Sequence, residues 1–293
     1  MEMLRFRLLA VLALAFICQA GVVCSSSAEQ KEAKSSAELL PLYEYGLIGI
    51  GSTIPHYRGS DESQNYYFPL PYFIYRGEWL KANREGLRGI FWRTERFQSE
   101  LSISGNPPVS DDNRAREGMP DLDALLELGP ALRYYIWNYG ERDTLYFQAN
   151  LRAAFSVGFD DGVDSAYQGL TSGISASYHN SKLFHSQNIR FHVDAGLQFS
   201  DEKLHSYFYE VEEEYATESR AAFDAKGGYT GFHLAGSILK EFTPKLWFGA
   251  YARWLNNSRI ANKDSPLMRE ENNYLFGITL IWKIGESEER EKI

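Results

Sequence analysis

The closing stretch of the chain, residues 245–284, constrains the fold more than any other part of the sequence. Its second arm alternates between apolar and mixed positions, and the apolar set begins and ends with aromatic rings: Tyr274, Phe276, Ile278, Leu280 and Trp282. Period-two alternation indicates a β-strand that separates two environments. Each arm is about ten residues long, which is the length that a tilted strand needs to cross a bilayer. The stretch therefore predicts the closing hairpin of a membrane β-barrel.

Two further stretches, 145–157 and 189–199, repeat this alternation between apolar and mainly polar residues, which is difficult to reconcile with a helix. We therefore predict an all-β fold, an antiparallel transmembrane β-barrel. Its strand number is about twelve if 205–211 forms a short ninth strand, and about ten if weaker strands merge or drop out. The stretch 78–93 is predicted to form one strand with a kink near Gly86.

Composition agrees with a membrane barrel and argues against a nucleic-acid-binding protein. Aromatic residues make up 15% of the chain, as expected when rings of Tyr, Trp and Phe mark both membrane boundaries. The net charge of -9 argues against nucleic acid as a partner. After the N-terminal stretch there is no second long apolar run, so the sequence predicts no transmembrane helix.

The chain divides into four predicted segments. Residues 1–28 have a basic start, an apolar middle and small residues before a cleavage position, as a secretory signal peptide has. Cleavage after Ala28 or after Ala20 fits this pattern. Residues 29–41 are predicted to be a flexible mature N-terminus, 42–284 the barrel and 285–293 a polar C-terminal tail.

Three motifs resemble those of the MipA/OmpV family, the MltA-interacting proteins of Gram-negative outer membranes. The first lies in 55–61, the second in 69–78 and the third in 264–267, within a similarity that runs from about Tyr45 to Trp282. The matching positions are Pro55, Tyr57, Gly59, Ser60, Asp61, Pro69, Pro71, Tyr75, Gly77, Asp264, Ser265 and Pro266.

This resemblance implies a barrel in the cell outer membrane, in contact with lipid and lipopolysaccharide, that acts as a scaffold in murein metabolism. The partners that it implies are a lytic transglycosylase and a penicillin-binding protein. A small-solute channel and a surface adhesin share the same fold and are the alternative functions. The family implies no catalytic residue and no cofactor.

The residues themselves give little support to an enzyme or a metal site. The six histidines have no metal-ligand spacing, and no G-x-S-x-G nucleophile motif is present. The acidic run at Glu210 and 212–214 could bind divalent cations, but a solvated loop accounts for it more simply. We therefore predict a protein that is not an enzyme, without metal or cofactor.

Charged residues on the predicted lumen faces have both signs: Glu127, Arg133, Arg152, Arg190, Asp194, Arg253 and Lys283. Charges inside a barrel are tolerated where they are paired or wet. Mixed signs fit an ion-paired and largely filled interior at least as well as a selective pore.

Overall fold

The computed structural model describes residues 39–76, 81–83, 86–87, 90–109, 113–137, 143–158, 164–180 and 188–292. The predicted signal peptide and most of the predicted flexible N-terminus lie outside these residues. The described end of that N-terminus, Leu39–Pro41, forms strand β1, which pairs with strand β15, Arg290–Lys292, in the predicted tail. The first and last described strands therefore form a short antiparallel ribbon separate from the main sheet.

Antiparallel strands make up nearly all of the regular structure. The first seven strands after β1 are β2 (Tyr43–Pro55), β3 (Ser63–Arg76), β4 (Lys81–Asn83), β5 (Gly86–Leu87), β6 (Ile90–Arg93), β7 (Phe97–Asn106) and β8 (Ala124–Trp137). The next six are β9 (Asp143–Gly158), β10 (Asp164–Asn180), β11 (Ile189–Ser200), β12 (Gly228–Thr243), β13 (Leu246–Asn256) and β14 (Asn272–Glu286). The helical segments are α1 (Glu202–Tyr209) and the 3-10 turns Arg114–Arg116 and Glu213–Tyr215.

The main sheet has thirteen strands in the order β5-β4-β3-β2-β14-β13-β12-β11-β10-β9-β8-β7-β6. Strand β2 pairs with β14, so the first and last long strands are neighbours. Residues from nearly every long strand surround one internal cavity, which shows that the sheet curls into a barrel. The all-β antiparallel barrel predicted from the sequence is confirmed. Within the described residues, the end strands β5 and β6 do not pair with each other.

The strand count differs from the prediction in two places. The predicted third strand, 78–93, is replaced in its described residues by three short strands, because Ala82 pairs with Leu87 and the chain reverses between them. The predicted ninth strand is wrong, because most of that stretch belongs to α1. Ten described strands have ten or more residues, which matches the lower of the two predicted counts.

Helix α1 forms where a strand was expected because local capping favours it. The side chain of Asp201 accepts a hydrogen bond from the Leu204 amide at 2.9 Å, the usual N-cap contact of a helix. The second carboxylate oxygen of Asp201 accepts from the Leu170 amide at 2.9 Å and ties the helix to β10. The aromatic residues Tyr207, Phe208 and Tyr209 pack in or against the buried core of the loops instead.

The two faces of the strands match the predicted alternation. In β14 the five apolar residues predicted to face lipid are each between 49% and 54% exposed. Their neighbours Leu275, Thr279 and Ile281 are buried in the barrel interior. Large apolar side chains therefore cover the outside, as they do in a membrane barrel, whereas the inside has polar residues such as Thr279 and apolar ones such as Leu275 and Ile281.

The two prolines of β3 occupy a free section of its outer edge. Pro69 pairs with Gly49 and Pro71 with Leu47 on β2. On its other side β3 has described pairing only further along, where Tyr75 pairs with Ala82. A proline cannot donate to a ladder, so both prolines fit a section of β3 that pairs, within the described residues, with β2 alone.

An apolar cluster fills part of the interior away from the long loops. It comprises Ile48, Ile50, Tyr72, Leu239, Trp247 and Ile281, with Phe68 and Leu70 packed against it. We call this set the lumen cluster. None of the described helices is long and apolar enough to cross a membrane.

Candidate functional site

Four connections, three of them long, gather at one end of the barrel and form a single layer, which we call the cap. These are the described parts of 56–62, 107–123, 201–227 and 257–271, which join β2 to β3, β7 to β8, β11 to β12 and β13 to β14. The buried core of the cap contains Tyr57, Val109, Ala115, Met119, Leu122, Tyr209, Val211, Ala225, Ile260 and Leu267. The cap is therefore a packed structure with its own hydrophobic core.

The first family motif lies at the centre of the cap. The Gly59 amide donates to Asn273 Oδ1 at 2.6 Å, and the Gly59 carbonyl accepts from the amides of Arg269 and Glu270. Gly59 has a φ of +94°, and a Cβ there would collide with the Met268 side chain. Only glycine fits this backbone without strain, which explains its place in the motif.

The third motif closes on the first through buried tyrosines. The Tyr57 hydroxyl donates to the Leu267 carbonyl at 2.9 Å. The Ser265 hydroxyl donates to the Tyr209 carbonyl at 2.7 Å, and the Tyr209 hydroxyl donates to the Arg58 carbonyl at 3.0 Å. Burial raises the pKa of Tyr57 well above its usual range and that of Tyr209 to about 12, so both remain hydroxyl donors at neutral pH.

Two buried arginines cross-link the cap through backbone carbonyl groups. Arg220 donates to the carbonyls of Ala115, Glu117 and Tyr215, at distances from 2.8 to 3.1 Å. Arg116 donates to the carbonyl of Phe208 at 3.3 Å. Each guanidinium satisfies several loop carbonyls that would otherwise be buried without partners. The loops consequently hold one another in place.

His205 anchors α1 to the rim of the barrel. Its Nδ1 donates to the Lys226 carbonyl at 2.6 Å, and Nε2 lies 2.9 Å from Thr230 Oγ1 on β12. Burial lowers the pKa of His205 below its ordinary value. The folded cap therefore favours the neutral imidazole.

Acidification should loosen the cap through this histidine. A depressed folded-state pKa means that the unfolded state binds the proton first, so stability is lost as the pH falls below the ordinary value of about 6.5. We expect faster amide hydrogen exchange in α1 at about pH 5 than at about pH 7.5. His205→Gln keeps polar contacts without titrating and should reduce this difference. An equal pH effect in the variant and in the wild type would contradict the assignment to His205.

A cavity of about 250 Å³ lies directly beneath the cap, inside the barrel. Its roof comes from the cap residues Tyr57, Arg58, Leu204, His205, Phe208 and Tyr209. Its wall comes mainly from inward-facing residues of β7 to β14. The cavity is polar and charged, and we take it, together with the cap, as the candidate functional site.

The predicted lumen charges occupy this wall in paired form. Arg152 Nε lies 2.9 Å from Glu127 Oε2, and Arg133 Nη2 lies 2.6 Å from Glu100 Oε1. All four side chains are largely buried, so each pair is only weakly screened by solvent. Glu100 was not among the predicted charges, although it lies on the same face of β7 as the cavity residue Ser102.

Asp194 forms a third polar pair. One carboxylate oxygen lies 2.5 Å from His233 Nε2, and the other accepts from the Ser177 hydroxyl at 2.5 Å. Arg253 also lines the cavity. Arg190 occupies the same strand face as Asp194 but is not among the cavity-lining residues. Lys283 lies further from the cap and pairs with Glu286 at 2.6 Å.

Removing one partner of the Arg152 pair should destabilise the barrel. Arg152→Met leaves Glu127 buried without its cation, and we expect a loss of about 1–3 kcal/mol in the free energy of unfolding. The double variant with Glu127→Leu should recover part of this loss, because no buried charge is then left without a partner. Denaturant unfolding in lipid vesicles measures the free energy for each single variant, Arg152→Met and Glu127→Leu, and for the double variant. A double variant that is as unstable as the sum of the two single variants would argue against direct pairing.

The family motifs do not all meet at this site. Pro55, Tyr57, Gly59, Ser60 and Asp61 lie in or beside the cap, as do Asp264, Ser265 and Pro266. The second motif does not join them: Pro69, Pro71 and Tyr75 lie along β3, and Gly77 lies outside the described residues. The second motif therefore belongs to the barrel wall.

Sequence reasoning missed several residues that hold the site together. Asn273 begins the inward face of β14 and donates to the Ser60 carbonyl at 2.7 Å. Asn257 donates to Asn273 Oδ1 at 2.8 Å and accepts from Arg58. The sequence shows only that these asparagines lie next to strand ends, where turns are common, and their burial appears only in the structure.

The histidines are distributed over the molecule. His56 contacts Asn113 at 2.9 Å in the cap, His179 and His192 lie in the wall, and His185 lies outside the described residues. Glu212, Glu213 and Glu214 are exposed on the cap. Across the described part of the chain, no group of three or more His, Cys, Asp or Glu side chains could hold a metal ion.

Comparison with known proteins identifies the family of the fold just described. The model of the family described as MltA-interacting protein MipA matches residues 48–284. Two similar solved structures are an outer membrane channel from Pseudomonas putida F1 (12% identity, 87% of this chain and 100% of that chain covered, TM-score 0.31) and the CymD monoaromatic hydrocarbon channel (10% identity, 83% and 89% covered, TM-score 0.30). Among proteins with curated descriptions, none matches the chain.

Proposed function

Because the chain belongs to the MltA-interacting protein MipA family, we propose that it is a non-enzymatic outer-membrane β-barrel that acts as a docking scaffold for a murein-cleaving lytic transglycosylase. The observation that favours a scaffold over a pore is the obstructed interior. The cap covers one end of the barrel, and the wall charges beneath it form ion pairs.

Membrane insertion is supported by the outward face of the barrel. Large apolar side chains on nearly every long strand are exposed, among them Leu47, Phe147, Leu151, Ile174, Leu234, Phe248 and Ile278. An apolar surface of this extent would drive association in water, whereas lipid accommodates it without cost. The proposal includes lipid and lipopolysaccharide as the surroundings of this surface, and the predicted signal peptide as the means of export.

The lengths of the connections between strands indicate which end of the barrel faces the cell surface. Three of the four cap connections, 107–123, 201–227 and 257–271, have fifteen or more residues, whereas the connections 138–142, 181–188 and 244–245 at the opposite end have at most eight. Outer-membrane barrels have short turns on the periplasmic side and long loops outside. We therefore place the cap at the cell surface and the murein partner at the opposite, periplasmic end.

Affinity capture tests the scaffold and its direction together. The tagged full-length chain, solubilised from outer membranes, should retain a lytic transglycosylase and a penicillin-binding protein, identified by mass spectrometry. A variant lacking the cap connection 202–226 should retain them equally, because the cap lies away from the periplasm. Failure of the wild type to capture either enzyme would contradict the scaffold. Loss of capture by a folded cap-deleted variant would contradict the direction.

A small-solute channel is the second candidate, and the cavity beneath the cap is the observation that favours it. Inward-facing polar residues surround this cavity on the wall, as they do in barrels that admit solutes. Conductance measurements separate the two candidates, since a scaffold needs no continuous path through the lumen. A surface adhesin would use the exposed side of the cap.

A further inference from the structure

We infer that the cavity beneath the cap is a binding site for a small oxyanion, a carboxylate or a phosphate, held by the guanidinium of Arg58. This inference goes beyond the scaffold role and does not depend on it. It would apply equally to a barrel that conducts solutes and to one that does not.

The first observation that supports the inference is the position of Arg58. The residue follows Tyr57 in the first motif and lies in the roof of the cavity. Its Nη1 donates to Asn257 Oδ1 at 3.1 Å and to the Phe232 carbonyl at 3.3 Å. These contacts fix the guanidinium plane. Among the described residues, no acceptor bonds to Nε or Nη2 of Arg58. The N–H groups on these two nitrogens therefore remain for a ligand.

The second observation that supports the inference is the balance of charges around the cavity. Arg58, Arg133, Arg152 and Arg253 line the cavity, whereas the carboxylates on it or next to it are Glu100, Glu127 and Asp194. These four cations against three anions leave one net positive charge. The anions are engaged elsewhere, with Arg133, with Arg152 and with His233 respectively. None of the described ion pairs neutralises Arg58.

The surroundings of Arg58 make this charge costly unless a ligand balances it. Arg58 is only partly accessible and lies among the residues that line the cavity. Burial lowers the pKa of Arg58 to about 10, and the nearby Arg253 charge acts in the same direction. The side chain therefore remains protonated at neutral pH. A guanidinium that is protonated and partly desolvated favours an oxyanion, which it can bind through two parallel hydrogen bonds.

The fold makes specific room for this side chain. Gly231 lies at a register shift between β11 and β12, with a φ of +136°. A Cβ at this position would collide with Arg58 Nη1. The bulge therefore seats the guanidinium against the wall. The cavity volume suits a ligand of a few heavy atoms and is smaller than a drug-sized pocket.

Calorimetric titration of the full-length barrel in detergent tests the site. The probes are succinate, inorganic phosphate and succinamide, which is a neutral analogue of succinate. We expect heat from at least one anion and none from succinamide. Binding of succinate alone identifies a carboxylate site, binding of phosphate alone a phosphate site, and binding of both a general oxyanion site. No binding by either anion, or equal binding of succinamide, would overturn the inference.

Two variants locate the site on Arg58. Arg58→Gln should weaken anion binding by roughly tenfold or more, because it removes the positive charge and the planar set of N–H donors of the guanidinium. Arg58→Lys keeps the charge without the fork and should give an intermediate affinity; it also serves if Arg58→Gln does not fold. Arg114→Gln is the matched control, since Arg114 lies on the exposed side of the cap and pairs with Glu62. Unchanged affinity in folded Arg58→Lys or Arg58→Gln would overturn the assignment.

Discussion

Ile174→Arg is expected to lower the free energy of unfolding in lipid by about 2–4 kcal/mol. Ile174 lies near the middle of β10, and 55% of its surface is exposed on the outer face. A guanidinium there would lie close to the bilayer midplane, where no water or counter-charge balances it. Reversible unfolding in vesicles, followed by tryptophan fluorescence, measures the loss.

Ser175→Arg is the matched control for this substitution. Ser175 is the next residue of the same strand, at almost the same depth, but it shares the inward face of β10 with Ser177, which bonds Asp194 inside the barrel. A charge there can reach water and carboxylates, so the loss should be clearly smaller. Equal losses at the two positions would show that the outer face of β10 does not contact lipid.

The barrel wall could be predicted from the sequence because its signal is local. A strand between lipid and a polar lumen must alternate at every residue, as 274–282 does, and a few residues reveal the alternation. The faces predicted for β9, β11 and β14 match the structure for this reason. The strand predicted at 205–211 is wrong, because an N-cap at Asp201 and packing in the cap favour a helix there.

The candidate site could be predicted only in part, because its contacts join residues far apart in the chain. Periodicity places Arg152 and Asp194 on the lumen side, but it does not show that Glu100 pairs with Arg133 or that Glu127 pairs with Arg152. The cap depends even more on distant contacts. Tyr57 meets Leu267 and Gly59 meets Asn273 across more than two hundred residues of sequence. Motif matches marked these loops without showing that they form one packed layer.

Conductance should be small or absent in the wild-type barrel and should rise when its two obstructions are removed. Ten long strands enclose more space than an eight-stranded barrel, whose interior side chains already fill. In this barrel the cap obstructs one end, and the lumen cluster narrows the interior further from it. Because the obstructions lie in series, removing one should have less effect than removing both.

The structure allows a clean removal of the cap's largest connection. Ser200 and Gly228 are partners in the β11–β12 ladder, so a short glycine-containing turn can replace 202–226 without disturbing either strand. This variant should show a modest conductance in planar bilayers. Adding Trp247→Ala, which opens the lumen cluster, should raise the conductance by roughly tenfold or more over the wild type.

The exposed pair Arg114–Glu62 provides a control, because Arg114→Gln should leave conductance unchanged. A large, steady wild-type conductance would favour the channel, because ions would then pass the intact cap and the lumen cluster, and the main argument for a scaffold would be lost.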